Sequence, residues 1–210
     1  MLVGRHQVRL ADAAEAVRTA GAAHVDTFTA DFASLASVRT LARDLLERLE
    51  RIDVLVDNAG TVFARRTLTD DGLEATFAVN HVAGFLLTEL LKERLIVSAP
   101  GRIVITSSVG HYNGALDLDD LGLEHGYSIL RAYSRSKLAN VLYARSLAAE
   151  LAPYGVTVNA VHPGSVATDI WSGAPWYARP FLGSPSDGCS HRRRAAARSR
   201  TSRSPRTSRR

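Results

Sequence analysis

Apolar positions along this chain follow two rhythms. Short β-rich runs stand at Val25–Thr29, Ile52–Val56, Arg102–Thr106 and Val156–Val161. Between them, stretches of helical spacing cover Ala11–Ala20, Leu35–Leu49, Leu73–Leu95 and Tyr133–Leu151. In the second stretch Leu35, Val38, Leu41, Leu45 and Leu49 recur every three or four residues, the stripe of an amphipathic helix. The run Ile52-Asp53-Val54-Leu55-Val56 is apolar at four of five positions, which predicts a strand in a sheet covered on both faces. Strand alternating with helix predicts an α/β layer architecture, a parallel sheet and right-handed crossovers.

The pattern is interrupted twice. Between His111 and Arg131 the residues are scattered Gly, Asp and Leu, a connection longer than most in α/β units. It follows the strand ending near Thr106, and ligands of open parallel sheets sit beyond the carboxyl ends of the strands. This segment is therefore expected to wall a substrate site. From about Asp187 onward periodicity stops, and the last residues are mostly Arg, Ser and Ala. Such a segment buries too little apolar surface to offset its ordering entropy, so residues 188–210 are expected to be a disordered tail behind one domain, 1–187.

Composition sharpens this division. The chain has 210 residues and a formal charge of +5, yet nine arginines and no acid fall within residues 190–210. The remainder carries 17 basic and 21 acidic side chains, a mildly acidic body. The tail could hold nucleic acid or another acidic surface only through nonspecific phosphate contacts, because it has no aromatic residue to stack on bases. A single cysteine, Cys189, excludes an internal disulfide framework and a cysteine-built zinc site. No apolar run reaches the length of a membrane span, and the N-terminus lacks a signal peptide's pattern. These features predict a cytoplasmic protein.

Chemistry concentrates in a few places. Tyr133-Ser134-Arg135-Ser136-Lys137 opens a predicted helix and puts Tyr133 and Lys137 four apart, on one face. A free tyrosine loses its proton near pH 10, so acid/base work near neutrality needs about 4 kcal/mol of stabilisation for the phenolate. A neighbouring ammonium supplies part of it. The spacing alone is common by chance, and its context decides. Arg102–Thr106 leads into Ser107 and Ser108 at a strand's carboxyl end, and Asp57-Asn58-Ala59-Gly60 ends another strand with small residues. Asn80 falls inside a predicted helix, an unfavourable place for asparagine unless its side chain has a task. His162-Pro163-Gly164 closes the last strand.

In order and spacing, Asn58-Ala59-Gly60, Asn80, Ser108, Tyr133-x-x-x-Lys137 and Pro163-Gly164 resemble the short-chain dehydrogenase/reductase superfamily over roughly residues 1–186. The stretches Val79–Thr88 and Ser136–Asn140, with 25 residues from Ser108 to Tyr133, look most like its retinol-dehydrogenase-like branch. The resemblance implies a Rossmann-type doubly wound parallel sheet and NAD(P)-dependent interconversion of an alcohol and a carbonyl. Tyr133 would be the acid/base, Ser108 would hydrogen-bond the substrate oxygen, and Lys137 would tune Tyr133 and hold the nicotinamide ribose. Asn80 would position a relay water. Asn58, Ala59, Gly60, Asp31 and Phe32 would line the adenosine side of the cofactor. Pro163, Gly164, Val166 and Thr168 would lie along its nicotinamide and pyrophosphate. Arg5 would meet the 2′-phosphate of NADP, favouring NADP(H) over NAD(H), since guanidinium pairs bidentately with phosphate. Tyr112–Arg131 and Trp171–Leu182 would shape the pocket for a small-molecule alcohol or carbonyl, and the two long helices would offer a homo-oligomer interface.

Three departures qualify this. Met1–Gly4 resembles the family's second strand, so the first strand, its glycine-rich turn and the following helix are expected ahead of it, and no such glycine spacing occurs in the sequence. The first strand belongs at the centre of the sheet, and without it the neighbouring strands are expected to expose unpaired edges and apolar side chains. Asp57 stands where the family commonly has a second asparagine. The tail reads as an out-of-frame stretch of a GC-rich gene or as a genuine basic appendage. Two alternatives therefore stand beside the enzyme: a noncatalytic remnant with the fold but no turnover, and a domain whose tail binds acidic surfaces.

Overall fold

The computed structural model describes residues 1–164, and the expected tail, Val166, Thr168 and Trp171–Leu182 lie outside them. Strand and helix alternate as β1 (Leu2–Gly4), α1 (Gln7–Thr19), β2 (Thr27–Thr29), α2 (Leu35–Arg48) and β3 (Val54–Asp57). A short helix α3 (Ala75–Phe77), a π turn over Ala78–Val82 and helix α4 (Ala83–Val97) follow, then β4 (Gly101–Thr106), α5 (Ile129–Leu151) and β5 (Val156–Val161). Every strand pair is parallel, and the fold is the Rossmann-like α/β arrangement.

The strands form two sheets among the described residues: β1 pairs with β2, and β3-β4-β5 lie side by side in that order. β1 and β3 are not hydrogen-bonded to each other. Val54 and Val56 are 54% and 57% exposed, which corrects the expectation that their strand is covered on both faces. The correction has a physical cause. β3 pairs only with β4, and nothing among the described residues packs over the side chains at its open edge.

One core nevertheless joins the parts. Val38, Leu41, Ala42 and Leu45 on α2 meet Leu87, Leu91 and Leu95 on α4, Ile103 and Ile105 on β4, and Leu147 and Leu151 on α5. Phe28 of β2 belongs to the same cluster, so α2 ties the two-stranded sheet to the three-stranded one. Side chains of this size contribute about 1.5–3 kcal/mol each when fully buried. Ser34 caps α2 by accepting from Ser37 N at 3.2 Å, and Ser128 caps α5 by accepting from Arg131 N at 3.1 Å.

Element limits differ from expectation where caps or side chains intervene. The Ser128 cap starts α5 at Ile129 rather than Tyr133, and a 3₁₀ turn at Val109–Asn113 consumes the other end of the long connection. The irregular segment is thus residues 114–128, shorter than His111–Arg131. The helix expected over Leu73–Leu95 is broken into α3, the π turn and α4, with Asn80 inside the π turn. No described helix is long and apolar enough to cross a membrane.

Candidate active site

Three chain segments converge at the carboxyl ends of β3, β4 and β5. Thr106, the last residue of β4, is the hub. Its carbonyl accepts from Lys137 Nζ at 3.0 Å and from Asn140 Nδ2 at 3.1 Å. Ser107, next along, donates its hydroxyl to the Lys137 carbonyl at 2.9 Å, while its amide donates to Val161 of β5 at 2.8 Å. The first turns of α5 are thereby fastened to the strand ends. Ser134, Arg135, Ser136, Lys137 and Asn140 are all buried, an unusual density of polar side chains on one helix.

Tyr133 and Lys137 share a face as their spacing requires, with Lys137 Nζ 5.7 Å from the centroid of the Tyr133 ring. Ser108 caps the 3₁₀ turn, its Oγ accepting from Gly110 N at 3.2 Å. A Cβ placed on Gly110 would lie 3.4 Å from the Tyr133 ring and 3.6 Å from Ser108 Oγ, so the phenol and the hydroxyl flank one small residue. Ser108, Tyr133 and Lys137 therefore meet at the mouth of the sheet. Gly114 is confined more tightly, because a Cβ there would come within 2.6 Å of the Ser134 carbonyl.

Asn80 has the task its place in a helix demanded. Oδ1 accepts from Thr61 N at 2.7 Å, and Nδ2 donates to Thr61 O at 3.0 Å and to Ser136 Oγ at 3.1 Å. Paired with both backbone groups of Thr61, the side chain fixes the segment directly after Gly60. Its own carbonyl accepts from Asn140 Nδ2 at 3.0 Å, and Asn140 Oδ1 accepts from His81 Nδ1 at 2.9 Å. Burial holds His81 below the ordinary histidine range, and its ring packs 5.1 Å from Phe77. Asn140, Ser107 and His81 escape a motif-based reading. The signal for Asn140 was the one that exposed Asn80, an amide inside a helix three residues past Lys137.

Electrostatics centre on Asp57 and Lys137. Burial pulls the Lys137 ammonium below the usual lysine range, and the Asp57 carboxylate opposes that pull. Burial pushes the Asp57 carboxyl up to about 6, with Lys137 opposing. Asp57 also leans on α4, where a Cβ on Gly84 would overlap its carboxyl group.

The remaining sequence-predicted positions surround this centre. Thr106 Oγ1 donates to Asn58 Oδ1 at 3.0 Å, while Ala59 and Gly60 continue the turn beyond β3. Asp31 turns the chain after β2 by accepting from Ala33 N at 2.9 Å, and Phe32 packs partly buried against the core. Pro163 and Gly164 follow β5, with Gly164 at φ +83, a conformation that favours glycine. Arg5 lies apart from the Tyr133 centre, at a shallow cavity of about 180 Å³ lined by Gly4, Arg5, His6, Arg9 and Leu10.

The family model described as short chain dehydrogenase matches residues 1–175. With the parallel α/β fold and the Ser108–Tyr133–Lys137 cluster, this establishes that the chain belongs to the short-chain dehydrogenase family, in its retinol-dehydrogenase-like branch. A Streptomyces sp. (strain C5) protein named "Putative daunorubicin C-13 ketoreductase DnrU" is 49% identical over 194 residues, covering 90% of this chain and 66% of that protein. Human retinol dehydrogenase 13 is 45% identical over 148 residues, covering 70% of this chain and 45% of that one. Among solved structures, the Pseudomonas aeruginosa RhlG/NADP active-site complex matches with a TM-score of 0.65 and 26% identity, covering 88% of this chain and 74% of that chain. The chain spans about half to two thirds of the length of the curated relatives it matches.

Proposed function

We propose that this short-chain dehydrogenase interconverts an alcohol and a carbonyl with NADP(H), using Tyr133 as acid/base. The observation that carries the reading is the convergence of Ser108 Oγ and the Tyr133 ring on Gly110, with Lys137 Nζ beside the ring. Oxidation of an alcohol must remove a hydroxyl proton as well as a hydride, so the protein needs a proton acceptor and hydrogen-bond donors at the oxygen. Ser108 donates to that oxygen. Tyr133 takes its proton in oxidation and returns it in reduction. Lys137 holds its ammonium 5.7 Å from the centroid of the ring.

The residues present suit a nicotinamide dinucleotide in part. Arg5 and Arg9 at the shallow cavity form a donor set for a 2′-phosphate, and Asn58 to Gly60 present small side chains at the strand end. Lys137 would hold the nicotinamide ribose. Asp31, Phe32, Pro163 and Gly164 would line the cofactor. The nicotinamide, when bound, supplies or accepts the hydride at the substrate carbon. Asn80 serves the relay by position, since its side chain orders the turn through Thr61 and its Nδ2 donates to Ser136 Oγ, next to Lys137.

The partner is a small-molecule alcohol or carbonyl. The exposed Phe85 of α4 and Leu142 of α5 support a homo-oligomer through these two long helices. A reducing cytoplasm suits a chain with one cysteine. Tyr133→Phe tests the assignment: turnover should fall by about 10²–10⁴-fold while NADPH binding persists. Near-wild-type turnover in the variant would remove Tyr133 from the chemistry.

A further inference from the structure

Arg135 sits inside the Tyr133–Lys137 motif but plays no part in the reaction described above. At roughly 100° per residue, a side chain two positions past Tyr133 leaves the far side of the helix from the phenol. Arg135 is only 3% exposed, and its Nε is buried with no hydrogen-bond partner. Its Nη1 donates to the carbonyl of Asp120, at 2.6 Å. A buried guanidinium spent on a peptide carbonyl, with Asp120, Glu74 and Asp117 acting on it only through charge, needs a reason.

Asp120 supplies one, because it is the pivot of the segment between Gly114 and Ser128. Its carbonyl also accepts from Leu123 N at 3.2 Å, and its carboxylate accepts from Glu124 N at 2.7 Å and His125 N at 3.4 Å. Leu123, held in this turn, has φ +48 and is 1% exposed. A branched side chain adopts that conformation only where its surroundings over-determine it. Two further arginines complete the clamp. Arg66 Nε donates to Gly122 O at 2.9 Å, and Arg131 donates to the Gly126 carbonyl. Tyr127 donates to Phe63 O at 2.7 Å, tying the segment to the turn that follows β3.

We infer that Arg135 is a positioning residue that locks residues 114–128 into a fixed wall of the substrate pocket, so that the catalytic helix itself sets pocket shape. The inference rests on the alcohol–carbonyl reading only for the wall's purpose; the clamp stands on geometry alone. The wall begins at Gly114 against the Ser134 carbonyl, one residue past Tyr133, and ends at the cap of α5, so its order follows that of the catalytic helix.

Amide hydrogen exchange on the full chain reads the clamp without cofactor or substrate. In Arg135→Met, protection at Leu123, Glu124 and His125 should fall by about tenfold or more, while α5 amides from Ala144 to Leu151 keep theirs. If α5 loses protection too, the variant has unfolded and Arg135→Lys decides, since it keeps charge and stem but only a point donor. Partial loss at the same three amides supports the clamp. Wild-type protection there in the folded variant overturns it. In turnover, the folded variant should raise KM for a bulky aryl ketone about fivefold with kcat nearly unchanged. A fall in kcat at constant KM would assign Arg135 to the chemistry and overturn the positioning role. A chain that keeps the clamp but reduces no carbonyl would refute the proposed function and leave this inference standing.

Discussion

Asp57→Asn isolates the charge pair under the active site. The Asp57 carboxyl, pushed up to about 6 by burial, titrates near its ordinary 3.8 in the unfolded chain. The gap of about 2 pH units is worth about 3 kcal/mol at 1.36 kcal/mol per unit, and the attraction to Lys137 is already contained in it. Between those two pH values the folded chain binds more protons than the unfolded one, so this group's contribution is fully present below 3.8 and is lost as pH rises through 6. Asparagine keeps the shape and cannot ionise. The variant should therefore match wild type near pH 4 and exceed it by about 2–3 kcal/mol at pH 8. Urea midpoints collected across that range, converted with the measured m-value, read the difference directly. A pH-independent gap, or a variant less stable than wild type at pH 8, would refute the buried-carboxylate argument. With Asp57 gone, Lys137 loses the charge that opposes its desolvation, so the alkaline fall of any catalytic activity should move to lower pH.

Three further outcomes follow from the same geometry. Asn80→Ala strands both backbone groups of Thr61 and should cost about 1–3 kcal/mol by thermal unfolding, with a loosened turn after Gly60 visible in amide exchange. Arg5→Ala should weaken NADPH binding by about tenfold and leave NADH binding nearly unchanged, as read by fluorescence titration. A strand, glycine-rich turn and helix joined ahead of Leu2 should pair with β1 and β3, cover Val54 and Val56, and raise NADPH affinity over that of the 210-residue chain alone. Equal affinity for the two chains would show that the open edges do not limit cofactor binding.

The layer order of the fold was legible because alternation of strand and helix is a periodic signal. Val156–Val161 is a strand over the residues its apolar pattern marks. Limits set by single side chains were less visible. Ser128 begins α5 four residues before Tyr133, a cap that the sequence offers but that apolar periodicity does not register. Helix α1 likewise starts at Gln7, four residues before the stretch Ala11–Ala20 that its spacing marks. The exposed faces of Val54 and Val56 depend on what lies beside β3, which no local pattern encodes. At the site, Ser108, Tyr133 and Lys137 were identifiable as a spaced set. Asp57 was visible only as a departure, and its coupling to Lys137 emerges when β3 and α5 meet. The arginine clamp on residues 114–128 joins residues up to 56 positions apart and has no sequence signature.

Transfer of deuterium from 4-deuterated NADPH to a carbonyl substrate tests the central claim most directly. The account predicts the label at the carbinol carbon with wild-type chain, carried on the strand–turn–helix extension where that is needed for binding, and none above background with Tyr133→Phe at saturating cofactor. Cofactor bound without label transfer by the wild-type chain, or transfer at the wild-type rate by Tyr133→Phe, would contradict it.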